Sequence, residues 1–225
     1  VPENHDPLIE KITLRDLLVM ASGFNKEYLM GDDRRKGTGS DDYIGYMLSQ
    51  KVEVEPGSRF MYSSADSILA GRMLEKAIGQ GMGDFLYQRV FSKLGQGWPI
   101  WEHDRFGHAI GCGGLYMTLS DQLKLGQLYL NGGVWNGERI VSEKWVKEAT
   151  SKQIDTVSRS GVWYCGYGYQ FWMMPYKNAY RADGAHGQIT IVFPDQGLIV
   201  SFQCPEYGDF NVTRQEIHDH LTSLI

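Results

Sequence analysis

The sequence lacks any apolar run long enough to cross a lipid bilayer. A membrane-spanning helix needs about 20 consecutive apolar residues, and no stretch of this 225-residue chain approaches that length. The opening residues, Val-Pro-Glu-Asn-His-Asp, also lack the charged and apolar segments of a signal peptide. We therefore expect a soluble protein with no membrane span, periplasmic or secreted if a signal peptide lies upstream and cytoplasmic otherwise.

Cysteines and runs of basic residues are also scarce. Cys112, Cys165 and Cys204 are far apart and form no Cys-x-x-Cys pair, so neither a disulfide framework nor a metal site is expected. The net charge is -5 and no basic run is longer than residues 34–36, which argues against nucleic acid as the partner. We expect a small-molecule or peptide substrate and no cofactor, and the sequence leaves the oligomeric state open.

The most informative stretch is residues 56–80, which has the pattern of a turn, a short extended run and a helix. Ser63, with Asp66 three positions later, has the spacing of a helix N-cap and its capping partner, and Gly79 stands where a left-handed C-cap belongs. We expect this helix to hold Tyr62 rigidly at its start. Its apolar residues recur at helical spacing and predict the buried face: Ala65, Leu69, Ala70, Met73, Leu74, Ala77 and Ile78.

Tyr62 is of chemical interest because the N-terminus of a helix favours negative charge. A phenol with a pKa of about 10 is a poor base at neutral pH, and it becomes a better one only where cationic or donor neighbours lower that pKa. Two interpretations stay open: Tyr62 is a general base, or its ring packs beneath the turn.

The two ends of the chain differ in the spacing of their apolar residues and in their composition. Residues 11–95 are mostly helical in pattern, and the last third is rich in aromatic and β-branched residues, which favours strands. We predict an α+β fold, an antiparallel sheet flanked by helices, with a helical lobe at 1–95 and an α/β lobe at 96–225. Predicted helices are 11–22 with its cap at Thr13, 40–49, 84–94, and two that begin at Ser120 and Ser142; predicted strands are 167–174, 189–193 and 198–204.

Five stretches occur in an order and spacing that together resemble one family. They are Ile12-Thr-Leu-Arg-Asp-Leu-Leu-Val-Met-Ala-Ser-Gly23, Pro56-Gly-Ser-Arg-Phe-Met-Tyr-Ser-Ser64, Gly113-Gly-Leu-Tyr-Met-Thr-Leu-Ser-Asp121, Tyr167-Gly-Tyr-Gln-Phe-Trp172 and Gly184-Ala-His-Gly-Gln188. The chain resembles the serine β-lactamase and D,D-peptidase-like hydrolases of the class C and esterase type, including the 6-aminohexanoate-dimer hydrolase branch. The resemblance implies their β-lactamase/transpeptidase-like fold.

The resemblance also implies roles. In the family, the Ser of a Ser-x-x-Lys helix attacks an acyl carbon, a motif tyrosine and the lysine move its proton, and two backbone amides hold the oxyanion. Tyr62 would be the acid/base partner, and Ser64 would take the place of the motif's Asn with a shorter reach. Alignment on Gly184 makes the Ala185 amide an oxyanion donor, whereas alignment on His186 selects Ile189; the spacing of the aminohexanoate-type branch favours Ala185.

The Ser-x-x-Lys motif itself is missing, because no serine in the chain has a lysine three positions later. No Gly-x-Ser-x-Gly elbow replaces it. In the family the motif lies upstream of the segment that matches residues 12–22, together with the first strands of the sheet. We therefore expect this sequence to be the carboxy-terminal part of a longer protein.

Five residues are candidates for binding substrate: Ser64, Gly184, His186, Trp172 and Tyr28. His186 either binds a substrate carboxylate or bonds to the backbone, Trp172 lines a cleft or the core, and Tyr28 is a candidate lid residue in the loop after Gly23. The first hypothesis is a serine acyl hydrolase that forms an acyl-enzyme from an amide, ester or β-lactam. The second is a catalytically inactive ligand- or peptide-binding protein of the same fold. The hydrolase hypothesis requires Tyr62 to face the Gly184–Gln188 segment across a cleft.

Overall fold

Two units make up the chain in the computed structural model, residues 1–116 and residues 117–225. The structure describes residues 3–29, 42–156, 165–185, 187–203, 216–217 and 219–221. Helices occur together with small antiparallel sheets, which confirms the predicted α+β class. The first unit extends to Tyr116 and so includes a segment that the sequence assigns to the second lobe.

Helices are the main regular elements in the described part of the first unit. It contains, in chain order, a 3₁₀ helix (Pro7–Lys11), α1 (Leu14–Leu18), α2 (Tyr43–Leu48), α3 (Ser64–Ile78), α4 (Met82–Leu86), a π-helical turn (Tyr87–Phe91), and the strands β1 (Ile100–Trp101) and β2 (Leu115–Tyr116).

Helix α1 begins with a capping box at the predicted residue. The Asp16 amide donates to Thr13 Oγ1 at 3.2 Å, and the Thr13 amide donates to the Asp16 carboxylate at 2.9 Å. The predicted helix over 11–22 is too long, since the α-helical part ends at Leu18. Met20 there takes a left-handed φ of 57°, which no α-helix continues through.

Helix α3 begins and ends where the sequence predicts. Ser63 is its N-cap, with its side chain accepting from the Ala65 amide, and Gly79 closes the helix at a φ of 69°. The predicted partnership of Ser63 with Asp66 is wrong in one respect, because the Asp66 carboxylate accepts hydrogen bonds from Ser22 instead. A local pattern fixes the helix ends, but it does not show a partner that lies 44 positions away.

The buried face of α3 differs from the predicted one. Met73 is 41% exposed and Ala77 is exposed, whereas two acidic side chains, Asp66 and Glu75, lie inside. Each acid has polar partners there, which offset the cost of removing it from water. The buried residues of α3 are Ala65, Asp66, Ile68, Leu69, Gly71 and Glu75.

A short hairpin closes the first unit. Strands β1 and β2 pair antiparallel, with Ile100 opposite Tyr116. The Trp101 indole N–H lies within hydrogen-bond distance of two carbonyls in the connecting loop, Ile110 at 3.0 Å and Gly113 at 2.9 Å. The sequence did not predict this hairpin, because strands of two residues have no readable alternation.

The named elements in the described part of the second unit form a four-stranded sheet, a two-stranded sheet and the helices α5 and α6. Its elements are α5 (Leu119–Leu130), β3 (Val134–Trp135), β4 (Glu138–Arg139), α6 (Glu143–Ala149), β5 (Trp172–Met173), β6 (Tyr180–Gly184), β7 (Gln188–Phe193), a 3₁₀ turn (Pro194–Gln196) and β8 (Leu198–Gln203). The large sheet has the order β5-β6-β7-β8 and is antiparallel throughout. The β7–β8 hairpin was predicted, whereas β6 was missed because Arg181 and Asp183 interrupt its apolar pattern.

Helix α5 lies directly against the sheet. A Cβ atom at Gly126 would come within 2.8 Å of a Thr190 methyl group, so only glycine permits this approach without displacement. The helix is capped by Thr118, two positions before the predicted Ser120, while Ser142 caps α6 as predicted. Within the described residues, no helix is both long and apolar enough to cross a membrane.

Candidate active site

The segment that carries Tyr62 is held on both sides by hydrogen bonds from distant parts of the first unit. Before it, the Met61 amide donates to the Met20 carbonyl at 2.7 Å. After it, the Ala65 amide donates to the Tyr28 carbonyl at 3.2 Å. The half-buried Tyr62 side chain therefore leaves the chain from a fixed point, one residue before the N-cap of α3.

Ser63 is fully buried and does more than cap the helix. Its hydroxyl oxygen accepts from the Tyr28 amide at 3.1 Å and lies 3.2 Å from the Tyr28 carbonyl, to which it donates. The sequence predicted only the capping role. The partner is 35 positions away, so no local spacing could have revealed it.

Asp66 and Ser22 form a second buried contact at the first turn of α3. The Ser22 hydroxyl donates to Asp66 Oδ1 at 2.7 Å, and the Ser22 amide donates to Oδ2 at 3.3 Å. Burial raises the pKa of Asp66 to about 7, the two Ser22 hydrogen bonds oppose that rise, and the negative charge of Asp16 adds to it. The carboxyl group is therefore partly protonated at neutral pH.

Two first-unit candidates differ in accessibility. Ser64, the first residue of α3, is half-buried. Tyr28 is only 4% exposed, packs edge-on against Phe24 and Tyr46, and donates its hydroxyl to Asn25 at 2.8 Å. Burial raises the pKa of the Tyr28 phenol, with a smaller contribution from Tyr46. Tyr28 thus supports the core in this structure, and its predicted role as a lid residue stays a prediction.

Gly184 and Ala185 lie at the end of β6. Gly184 pairs with Gln188 across the β6–β7 hairpin, so Ala185 and Gly187 lie in the connection between the two strands. Ala185 is exposed, and Gly187 has a φ of 84°, the left-handed conformation that such loops require. His186 lies outside the described residues, so its predicted contact with a substrate carboxylate stays a prediction.

Ile189 occupies a different environment from Ala185. It lies in β7, opposite Asp183 on one side and Phe202 on the other. A residue in a central strand uses its amide in the ladder with one of its neighbours. Ala185, at the start of the loop, is free of that requirement, and this favours it over Ile189 as a donor to a substrate atom.

The Gln122 side chain of helix α5 binds the start of β7. The Gln122 amide nitrogen lies 2.9 Å from the Ile189 carbonyl, 2.9 Å from Thr190 Oγ1 and 3.0 Å from Ser201 Oγ. Gln203 donates to the Gln122 side-chain oxygen at 2.9 Å. Gln122 was not a sequence candidate, since a lone glutamine on a helix carries no signal for such a role.

Trp172 is packed inside the second unit. It is 5% exposed, meets Tyr167 edge-on at 4.8 Å and lies 5.8 Å from the Arg181 guanidinium. Arg181 in turn pairs with Asp183 at 2.9 Å, one residue before Gly184. A substrate-binding role for Trp172 stays a prediction, and packing beside this ion pair is its role in the structure.

The candidate residues belong to different units. Tyr28, Tyr62 and Ser64 lie in the first, and Trp172, Gly184 and Ala185 in the second. The expectation that Tyr62 faces residues 184–188 joins the two units and stays a prediction. Among the described residues, no three His, Cys, Asp or Glu side chains are arranged to hold a metal ion.

A sequence model of the β-lactamase family matches residues 1–205, which is most of the chain. The chain belongs to the β-lactamase family. The match covers the first unit, most of the second and every candidate residue, and it confirms the resemblance found in the sequence. No curated protein is similar enough in sequence to count as a match.

Solved structures of other proteins share this β-lactamase-family fold. A Bacillus anthracis protein provisionally described as a 6-aminohexanoate-dimer hydrolase is 19% identical with a TM-score of 0.76, over 94% of this chain and 60% of that one. A penicillin-binding protein from Bacillus halodurans is 16% identical with a TM-score of 0.70, over 97% and 76%. A β-lactamase from Mycobacterium bovis is 19% identical with a TM-score of 0.64, over 93% and 71%.

These similarities define how much of the β-lactamase fold the chain contains. The chain spans 60% of the length of the Bacillus anthracis protein. At such low identities the likeness establishes the fold. It leaves the substrate and the activity of this member of the family to be argued from its own residues.

Proposed function

We propose that this chain is part of a serine acyl hydrolase that acts through a covalent acyl-enzyme, with the nucleophilic serine and its lysine in a segment upstream of Val1. The main support is the family match over residues 1–205. Tyr62, fixed at the start of α3, matches the motif tyrosine that accepts the proton of the nucleophile. No Ser-x-x-Lys motif occurs within the chain itself.

In the proposed reaction, the serine oxygen bonds to the acyl carbon while its proton passes to Tyr62. The negative charge that develops on the carbonyl oxygen is bound by the Ala185 amide and one further backbone amide. The bond to the leaving group then breaks, and Tyr62 returns the proton to that group. Water repeats the same steps and releases the acid.

The proposed substrate is a carboxylic amide, an ester or a β-lactam, since all three contain the carbonyl group that these steps require. Ser64 would donate a hydrogen bond to the substrate or to the lysine, and Gly184 lets the substrate pass close to the backbone. His186 would pair with a carboxylate on the substrate. Tyr28 and Trp172 would act by supporting the walls of the site, because both are nearly fully buried.

The experiment uses the full reading frame that contains this chain, beside the 225-residue chain alone. A fluorophosphonate probe reports an active serine, and p-nitrophenyl butyrate and nitrocefin report ester and β-lactam hydrolysis. We expect labelling and turnover in the full-frame protein and no labelled serine in the shorter chain. A labelled serine within residues 1–225 would contradict the upstream position of the nucleophile.

Tyr62→Phe tests the proton-transfer role in the full-frame protein. Loss of a general base lowers kcat by about 10²- to 10⁴-fold. Tyr116→Phe is the matched control, because Tyr116 is 63% exposed and bonds to Glu102 on the surface hairpin. Full activity of Tyr62→Phe would exclude Tyr62 as the base.

A second candidate function is a catalytically inactive ligand- or peptide-binding protein of the same fold. The observation in its favour is that no serine of the chain is followed by a lysine three positions later. A reading frame with no Ser-x-x-Lys upstream of Val1, no labelling, and saturable binding of a peptide or β-lactam would support this function over hydrolysis.

A further inference from the structure

We propose that Asp66 is a positioning residue for Tyr62, and that it acts through its buried hydrogen bonds to Ser22. This inference rests on the proposed function, because Tyr62 needs accurate placement only if it transfers a proton. It depends solely on contacts within the first unit. Neither Asp66 nor Ser22 belongs to the catalytic or substrate-binding residues assigned above.

The cost of burying Asp66 points to a role beyond capping. Asp66 is fully buried and Ser22 is 3% exposed. Acidic residues are common in the first turn of a helix because the dipole favours them there at the surface. Burial adds a desolvation cost that a surface carboxylate does not have, so the interaction with the helix dipole alone does not account for an acid inside the protein. The N-cap requirement is already met by Ser63.

Hydrogen bonds from residues 20–22 link the position of Asp66 to that of the chain around Tyr62. Each of residues 20–22 forms a hydrogen bond to a residue within 57–66, the stretch that contains Tyr62. The Met20 carbonyl accepts from Met61, the Ala21 carbonyl accepts from Gly57 at 2.7 Å, and Ser22 donates to Asp66. Residues 20–22 are therefore bonded to positions before and after Tyr62 in the chain, and Asp66 supplies the bond on the later side.

The backbone conformation of Met20 supports the proposed positioning role of Asp66. Its φ of 57° is uncommon for a residue with a bulky side chain. Such strained backbone persists only where the surrounding contacts determine it, and it occurs most often near functional sites. Met20 is also the residue whose carbonyl binds the amide directly before Tyr62. The anchor at Ser22 lies two residues further along the same segment.

Glu75 provides a matched control on the same helix. It is also buried, at 7% exposure, but its carboxylate contacts Arg72, the Met82 amide at 3.0 Å and His108 at 3.0 Å. These partners lie towards the far end of α3. Glu75→Gln should therefore perturb the stability of the first unit without changing the surroundings of Tyr62.

The test uses Asp66→Asn, Ser22→Ala and Glu75→Gln in the full-frame protein. The signal is the ¹³Cζ resonance of Tyr62, assigned with Tyr62→Phe and followed through a pH titration. We expect the Tyr62 resonance and its titration midpoint to change in Asp66→Asn and Ser22→Ala and to stay unchanged in Glu75→Gln. In hydrolysis, we expect kcat to fall by about tenfold with KM nearly constant, because small displacements of a reacting group cost that much or more.

The outcomes separate this inference from the proposed function. If Asp66→Asn and Ser22→Ala lower the melting temperature but leave the Tyr62 resonance as in the wild type, Asp66 is merely structural and the inference is overturned. If the resonance changes but the wild-type protein hydrolyses nothing, the placement of Tyr62 by Asp66 stands and the hydrolase function fails. If Asp66→Asn does not fold, Ser22→Ala still tests the inference, because it removes the same hydrogen bond from the other side.

Discussion

The two segments assigned to the chemistry are held in place by different means. Buried side chains, Ser22, Ser63 and Asp66, fix the Tyr62 segment in the first unit. Backbone pairing between Gly184 and Gln188 and the left-handed Gly187 fix the Ala185 loop in the second. Tyr62 should therefore respond to pH and to the loss of single side-chain atoms, whereas Ala185 should respond only to changes in the backbone.

The largest expected effect is the pH dependence of the first unit. The pKa of Asp66 is about 7 in the folded chain against an ordinary value of 3.8, so the folded state keeps a proton that the unfolded state has lost. The free energy of unfolding should fall as pH rises from about 4 to about 7, by on the order of 4 kcal/mol. Urea unfolding at a series of pH values measures it.

Asp66→Asn is the control for that pH dependence, because an amide does not titrate. Its unfolding free energy should lack the decline between pH 4 and pH 7. Asp121 in the second unit provides the opposite sign: its pKa is lowered, chiefly by the Thr118 hydroxyl, so its contribution is lost on acidification. An equal decline in Asp66→Asn and wild type would exclude Asp66 as its source.

The next effect tests the backbone of the second unit. Replacing Ala185 by lactic acid exchanges its amide N–H for an ester oxygen and leaves the side chain unchanged. Loss of one oxyanion donor lowers kcat by about 10²- to 10³-fold, and the full-frame protein should show this drop with p-nitrophenyl butyrate.

The same ester exchange at Ile189 distinguishes the two possible donors. The Ile189 amide lies in the sheet ladder, so we expect its replacement to lower stability and leave kcat close to wild type. A large fall in kcat at 189 with none at 185 would reverse the assignment of the oxyanion donor.

Ser63→Ala tests the side-chain contacts of the first unit. The variant leaves the Tyr28 amide without its buried hydroxyl partner and removes the N-cap of α3, so we expect a loss of about 2 to 3 kcal/mol in unfolding free energy. Ser142→Ala is the control, because Ser142 caps the exposed start of α6 without such a contact and should cost about 1 kcal/mol. Equal losses in the two variants would argue against the buried contact.

The smallest expected effect comes from Gly187→Ala. A left-handed φ costs an alanine about 1 kcal/mol or slightly more, and the change should also displace the Ala185 loop and lower kcat. Gly197→Ala has a similar backbone cost, at a φ of 64° with open space around it, and lies in the turn between β7 and β8. Its kcat should stay at the wild-type value; a decrease as large as that of Gly187→Ala would mean that the loop is not the cause.

Local patterns in the sequence predicted several helix ends, although they placed the end of α1 too late and the start of α5 two residues too late. Thr13, Ser63 and Ser142 cap helices, and Gly79 ends α3, because capping depends on residues a few positions apart. The β7–β8 hairpin was predicted for the same reason, since Pro194 and Gly197 define its turn. The family resemblance supplied Tyr62 and Ala185 as candidates.

Tertiary contacts could not be predicted in this way. Asp66 and Ser22 are 44 positions apart, and only the structure shows that the acidic side chain points inward. One signal was present: Asp66 lies between the apolar residues Ala65 and Ile68 in the first turn of α3. A buried acid in that position requires a buried polar partner, but the sequence alone does not identify that partner.

The missing side chain at Gly126 limits where the second unit can tolerate changes in length. An inserted residue in α5 moves everything after it by about 1.5 Å along the axis and about 100° around it. Such an insertion before Gly126 would turn a larger residue towards Thr190 and force the helix off the sheet. Insertions and deletions among related proteins should therefore accumulate in the loops on either side of α5, and the helix itself should keep a constant length up to this glycine.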